Sequence, residues 1–114
     1  MLKALLAAYW AMCFYMTHMP PSQIPSVEVP YVDKAVHFCM YFGLSLLWRA
    51  NFRRWGWKWI LPLVFYAAFD ELSQPYFQRD AEWGDFLMDL TGLISAPLLF
   101  NWFFWARDNE FQHP

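Results

Sequence analysis

The sequence feature that most constrains the fold is the stretch from residue 66 to 92, where six acidic residues interrupt an otherwise apolar sequence. The acidic residues follow WKWILPLVFYAAF and precede LTGLISAPLLFNWFFW, and Pro75 breaks the chain between them. A carboxylate in or at the edge of a hydrocarbon layer is costly, and it usually faces a bundle interior or a polar cavity. The pattern predicts a membrane hairpin with a charged tip, formed by Asp70, Glu71, Asp80, Glu82, Asp85 and Asp89.

The composition favours the same class of protein. Of the 114 residues, 59% are hydrophobic and only 16% are charged, which fits a chain whose exterior faces lipid. This length allows one domain, predicted to span residues 1–114. The sequence has no basic stripe with interleaved aromatic residues, which excludes nucleic acid as a partner. The two cysteines show no CxxC or Cys/His pattern, so neither a disulfide framework nor a zinc knuckle is predicted.

Prolines divide the apolar sequence into four helical segments, at about residues 2–19, 34–51, 57–74 and 83–105. Eighteen residues make a helix of about 27 Å, which is enough to cross a bilayer. Asp33 is placed to cap the second helix. The predicted fold is therefore all-α, an integral membrane bundle of four antiparallel transmembrane helices.

Cations indicate the orientation of this bundle. A loop between the second and third helices carries Arg49, Arg53, Arg54 and Lys58. Positively charged loops stay on the cytoplasmic side, so the 51–58 loop and both termini are predicted to be cytoplasmic. The loops at 20–32 and 75–82 are then extracytoplasmic.

Helical spacing gathers the polar residues into three stripes near the outer surface. Residues four apart lie on one helix face. Such spacing relates Asp33, His37 and Tyr41 on one helix, Asp70 and Gln74 on the next, and Asp85 and Asp89 on the last, with Lys34 and Arg79 at the rim. The predicted ligand-binding residues of this polar pocket are Asp33, Lys34, His37, Tyr41, Asp70, Glu71, Gln74, Arg79, Asp85 and Asp89.

Two positions in the pocket carry more specific expectations. Asp70 and Glu71 are about 100° apart on a helix, so one of them is expected to face the pocket while the other reaches interfacial water. Asp89 lies about 9 Å into its helix, too deep for its side chain to reach the headgroups. We expect its carboxyl group to be neutral unless Lys34 or Arg79 reaches it.

Three segments resemble the motif series of the VanZ-like family of small four-helix membrane proteins: THMP at 17–20, DKAVHFCMYFGL at 33–44 and DELSQPYFQRDAEWGDFLMDLTG at 70–92. The resemblance extends over nearly the whole chain. It rests on an Asp-Lys-x-x-His element, an Asp-Glu-x-x-Gln element and an arginine followed by an aspartate at a helix start. It implies a four-helix membrane fold and a connection with resistance to the glycopeptide teicoplanin. Family members typically have asparagine at the position of Asp89, where this chain departs from the pattern.

The residues leave two classes of function open. The first is a non-enzymatic protein that binds an envelope or lipid-linked ligand and lowers the access of glycopeptides to the envelope. The second is a membrane enzyme acting on a lipid or lipid-linked substrate. Its catalytic candidates are His37 as general base and Glu71 or Asp85 as acid or metal ligand, and Arg79 would hold a phosphate group. Membrane lipids are the expected partners in both cases, and no oligomeric state is predicted.

Sequence motifs of familiar hydrolases are absent. There is no Gly-x-Ser-x-Gly nucleophile elbow and no HExxH zinc motif. Two histidines and four carboxylates could ligate a divalent metal, but their spacing in the sequence is not compact, so no metal and no other cofactor is predicted. These six residues are His18, Asp33, His37, Glu71, Asp85 and Asp89.

Overall fold

The computed structural model describes residues 1–24, 31–52 and 57–112, and for residues 21, 57 and 105–112 it describes the backbone alone. These residues form four α-helices and no β-strand, which confirms the predicted all-α class. The helices are α1 (Leu2–Thr17), α2 (Val32–Phe52), α3 (Trp57–Ser73) and α4 (Trp83–Gln112), with 3-10 helices at Pro21–Gln23 and Gln74–Phe77. Arg53 and Arg54, two of the cations used to predict the orientation, lie outside the described residues.

Local chemistry explains where the helices end. Pro20 cannot donate a backbone hydrogen bond, and α1 stops three residues before it, with the backbone N–H of His18 donating to Phe14 O at 3.1 Å. Pro75 similarly ends α3, and the chain turns through Gln78 in the left-handed conformation at φ 62°. Gln74, predicted as the last residue of the third helix, instead begins this 3-10 turn.

Hydrogen bonds between helix ends show that successive helices run antiparallel. At one end of the bundle the Asn51 amide donates to Leu2 O at 3.1 Å, joining the end of α2 to the start of α1. The Trp48 indole donates to Trp59 O at 2.8 Å, joining the same end of α2 to the start of α3. The acidic residues of α3 and α4 therefore share the opposite end.

The closest helix contact is between α2 and α4. At Gly92 an added Cβ would lie 2.5 Å from Phe38 O, so only glycine permits this approach of the two backbones. The Ser45 hydroxyl donates to Leu93 O at 2.8 Å beside it. The buried apolar cluster next to this contact consists of Leu6, Cys13, Met40, Tyr41, Leu44, Leu63, Ala67 and Leu93.

The exterior of the bundle is apolar. Leu5, Val36, Phe65 and Trp102, one from each helix, are all exposed. Within the described ranges one helical segment, Trp83–Phe104, is long and apolar enough to cross a membrane. The Leu2–Thr17 helix is apolar but shorter.

Candidate functional site

Asp70 is fully buried at the end of α3 and is bound by two hydroxyl groups. The Thr17 hydroxyl donates to Asp70 Oδ1 at 2.7 Å, and the Tyr41 hydroxyl donates to Oδ2 at 2.8 Å. Because each carboxyl oxygen has a donor from a different helix, Asp70 joins α1, α2 and α3. Asp70, Thr17, Tyr41, His18 and Ser73 are called the Asp70 cluster below.

The His18 ring links this cluster to the end of α3. Its Nδ1 lies 2.9 Å from Phe14 O and 3.4 Å from Asp70 Oδ1. A carbonyl oxygen can only accept, so Nδ1 carries the proton and Nε2 is free to accept one. The Ser73 hydroxyl lies 2.6 Å from Nε2 and 3.0 Å from Asp70 O, so its one proton has two acceptors within reach. The Ser73 hydroxyl, the His18 imidazole and the Asp70 carboxyl group thus lie next to one another in that order. In such an arrangement the imidazole can take a proton from the hydroxyl group.

A second group of buried polar side chains comes from α2, α3 and α4. His37 Nδ1 lies 2.8 Å from Asp89 Oδ1, and His37 Nε2 lies 3.7 Å from Asp85 Oδ2. Glu71 completes the group, since one donor atom each of His37, Glu71 and Asp89 lies within 4.8 Å of the others. All four side chains are buried. They are called the His37 cluster below.

Lys34 connects the His37 cluster to the protein surface. Its Nζ donates to Glu82 Oε2 at 2.9 Å and to Asp85 Oδ1 at 3.2 Å, and it lies 3.4 Å from Asp33 Oδ2. Asp33 and Glu82 are half exposed or more, whereas Asp85 is buried. Lys34 therefore balances part of the acidic charge at the mouth of the cluster, and only one of its three carboxylates is protected from solvent screening.

The Glu71 side chain contacts the start of α4 and also lines a cavity. Its Oε1 accepts a hydrogen bond from the backbone of Glu82, just before α4 begins, where the helix dipole favours a negative charge. Its side chain also lines a cavity of about 270 Å³ that is partly open to the outside. The other lining residues are mostly apolar: Ala68, Leu72, Ala81, Glu82, Trp83 and Phe86.

The structure brings most of the predicted site residues to one end of the bundle, although not into one group. Asp70 and Tyr41 lie in the Asp70 cluster, while Glu71, His37, Asp85 and Asp89 form the other group. Gln74 is fully buried, and neither of its amide atoms has a hydrogen-bond partner among the described residues. Whether these residues bind a ligand stays a prediction.

Several local expectations were wrong. Asp70 and Glu71 are both buried, because α3 is covered by α1 and α2 on the side of Asp70 and by the start of α4 on the side of Glu71. Asp33 lies within the first turn of α2 instead of capping the helix. Arg79 is not at the rim of the His37 cluster, since its Nη1 donates to Met19 O at 3.2 Å. The condition set for a charged Asp89 is not met, because neither Lys34 nor Arg79 is bonded to it and its partner is His37.

Four contributing residues were absent from the predicted ligand-binding set, although His18 was among the possible metal ligands: Thr17, His18, Ser73 and Glu82. A signal for Thr17 and His18 was available, because an antiparallel bundle places the end of the first helix beside the end of the third. For Ser73 the signal was weaker, since its position between Asp70 and Pro75 also suits a helix end.

Comparison with known proteins identifies the family. No match was found among curated proteins or among solved structures. A family model described as VanZ/LLP1 matches residues 3–104, which is nearly the whole chain and includes both clusters. The chain belongs to the VanZ/LLP1 family.

Proposed function

We propose that this protein is an integral membrane protein whose four helices span the bilayer and whose cavity beside Glu71 binds an amphiphilic, lipid-linked ligand of the cell envelope. One observation carries the proposal: an apolar cavity lies directly against a buried polar cluster. A ligand with an apolar chain and a polar head group matches that division, with the chain against Leu72, Trp83 and Phe86 and the head group towards Glu71 and Lys34.

The apolar exterior supports the membrane location. Phe65 in the middle of α3 is 72% exposed, and comparable side chains are exposed on the other three helices. Soluble monomers rarely expose apolar surface on every side, because water penalises it. The buried carboxylates all lie towards one end of the bundle, as expected if that end approaches the outer surface of the membrane.

The orientation follows from charge. Arg49 and Lys58 lie at the end of the bundle opposite the His37 cluster, and cationic ends favour the cytoplasmic side. Both termini would then be cytoplasmic, and the cavity would face the extracytoplasmic leaflet, where envelope precursors are found. A protein that occupies such precursors would lower the access of teicoplanin to them, which links the proposal to the resistance implied by the family resemblance.

The test is lipid mass spectrometry of the detergent-purified protein. We expect the native protein to retain an amphiphile, and Ala68→Phe, which fills the cavity, to lose most of it. Ala7→Phe is the matched control, because Ala7 is exposed on α1 away from the cavity. Equal retention by both variants, or no amphiphile in the native protein, would contradict the proposal. Growth of expressing cells with teicoplanin then tests resistance separately.

A second candidate function, an enzyme acting on a lipid-linked substrate, is favoured by two buried imidazoles that each lie near a carboxyl group. His37 is held by Asp89, and His18 Nε2 lies 2.6 Å from the hydroxyl group of Ser73, which is a candidate nucleophile. Release of a head group from a lipid-linked substrate by the purified protein would support it. His37→Asn or Ser73→Ala should abolish that release while leaving amphiphile retention largely intact, whereas a binding protein has no turnover to lose.

A further inference from the structure

We infer that His37, Glu71 and Asp89 form a binding site for one divalent transition-metal ion. The inference does not require a bound amphiphile, and it assigns an ion to three residues of the predicted pocket for which the sequence predicts no metal. The sequence separates these residues by 34 and 18 positions, and only the packing of α2, α3 and α4 brings them together.

The geometry allows a common ion. One donor atom from each residue lies within 4.8 Å of the other two, and His37 Nδ1 and Asp89 Oδ1 are only 2.8 Å apart. Ligands bound at about 2.0–2.6 Å from an ion are separated by no more than about twice that distance. All three side chains can therefore reach one ion with small adjustments of their rotamers.

Unpartnered buried oxygens point to the same conclusion. Glu71 Oε2 and Asp89 Oδ2 have no hydrogen-bond partner in the described part of the chain. Glu71 is 7% exposed and Asp89 is fully buried, so neither oxygen can rely on bulk water. A buried carboxylate oxygen without a partner is costly, and coordination to a cation would remove that cost for both residues at once.

The number of carboxyl groups in the His37 cluster also favours a bound cation. Glu71, Asp85 and Asp89 bring three carboxyl groups close to a single half-buried ammonium group, that of Lys34. Arg79, which could have supplied a second positive charge, is directed to Met19 O. A divalent ion would balance this excess without bringing a further side chain into the bundle.

The donor set indicates the kind of ion. One imidazole nitrogen with carboxylate oxygens suits Zn²⁺ or Mn²⁺, whereas Mg²⁺ and Ca²⁺ prefer oxygen ligands alone. Asp85 Oδ2 lies 3.7 Å from His37 Nε2, which is beyond hydrogen-bond distance, so Asp85 adds negative charge near the ring. Asp33, Glu82 and Asp85 form another compact donor group, but two of these side chains are exposed and Lys34 already contacts all three.

The experiment uses the full chain in detergent after treatment with a chelator. Titration with Mn²⁺, followed by the loss of the free-ion electron paramagnetic resonance signal, should show one bound ion per chain. Electron spin-echo spectra of the bound Mn²⁺ should show coupling to a directly bonded ¹⁴N nucleus, and this measurement on the native protein needs no variant. Zn²⁺ should displace the Mn²⁺. Absence of binding at millimolar Mn²⁺ and Zn²⁺, or a bound ion without nitrogen coupling, would overturn the inference.

Variants locate the ion. Glu71→Gln and Asp89→Asn should weaken Mn²⁺ binding by about 100-fold, since even the loss of an outer-shell partner costs up to about that factor. His37→Asn should remove the nitrogen coupling. The matched control is Asp33→Asn, which disables the exposed donor group and should leave the affinity unchanged. If Asp33→Asn weakens binding and Glu71→Gln does not, the ion lies at the surface and the inference is wrong. Unfolding midpoints measured with chelator show which variants are folded.

Discussion

His37 Nδ1 and Asp89 Oδ1 are 2.8 Å apart although 52 residues separate them in the chain, and this contact fixes the relation of α2 to α4 inside the polar end of the bundle. A buried imidazole held by a carboxyl group has a defined ring orientation. The pair also explains how a short acidic side chain is accommodated deep in α4, since a neighbouring helix supplies its partner.

Asp89→Asn should therefore change stability little when no metal is present. An asparagine side-chain oxygen can accept the hydrogen bond of His37 that Asp89 Oδ1 now accepts. Asp89→Leu removes the acceptor and leaves the buried imidazole unsatisfied, which should lower the free energy of unfolding by about 1–3 kcal/mol. Unfolding of both variants in detergent with chelator measures the difference. A loss for the asparagine variant as large as for the leucine variant would show that the negative charge itself is required.

Tyr41→Phe should destabilise the protein through the Asp70 cluster. The Tyr41 hydroxyl is the donor to Asp70 Oδ2, and both residues are fully buried. Its loss leaves that carboxyl oxygen without a donor, at an expected cost of about 1–3 kcal/mol. Tyr76→Phe removes the same hydroxyl from a side chain that is 88% exposed and serves as the control. Thermal unfolding in detergent compares the two, and equal midpoints would mean that the Asp70 hydrogen bond contributes nothing.

Gly92→Ala should separate α2 from α4. The new methyl group would lie 2.5 Å from Phe38 O and 2.9 Å from Phe42 N, which are backbone atoms that cannot move aside independently. Overpacking of this kind costs about 1–3 kcal/mol. At Gly84 a methyl group would meet only the flexible end of Lys34, so Gly84→Ala should be tolerated. Unfolding free energies of the two variants provide the measurement, and the expectation fails if Gly84→Ala proves the more harmful.

The orientation in the membrane can be tested by cysteine labelling. In a background where Cys13 and the exposed Cys39 are replaced, Ser22→Cys and Gln78→Cys should react with an impermeant reagent from outside intact cells. Asn51→Cys, at the opposite end of the bundle, should react only after the membrane is permeabilised. Labelling of Asn51→Cys from outside would reverse the proposed orientation.

Much of the fold could be predicted from the sequence because prolines and apolar runs act locally. Pro75 ends α3 wherever its neighbours lie, and the segment after Trp83 is helical by composition alone. The first residue of α2 was predicted less accurately. The sequence predicts a helix that begins after Asp33, whereas α2 begins at Val32. An acidic residue is favourable both as a helix cap and in the first turn, so the two positions are hard to tell apart.

The site was harder to predict, because helical spacing places residues on a face but does not say which neighbour covers that face. Asp70 and Glu71 illustrate this limit. Their separation of about 100° would expose one of them if neighbouring helices covered α3 on one side only, but helices cover both sides. The partner of Asp89 is not evident from the sequence either, because His37 lies on another helix and, unlike lysine or arginine, is a cation only when protonated. Arg79 was misplaced since its long side chain reaches the end of α1 instead of α4.

The close contact of Gly92 with Phe38 also affects how the protein is made. Chains are synthesised from the N-terminus, so α2 is complete well before α4 exists. During that interval α4 does not yet supply Asp89 as the partner of His37 or the Leu93 carbonyl oxygen that accepts the hydrogen bond of Ser45. A nascent chain with only the first three helices therefore has buried polar side chains without hydrogen-bond partners. In a lipid bilayer such side chains are energetically costly. We therefore expect truncations within α4 to lower the amount of protein that accumulates, because they remove the partners of His37 and Ser45.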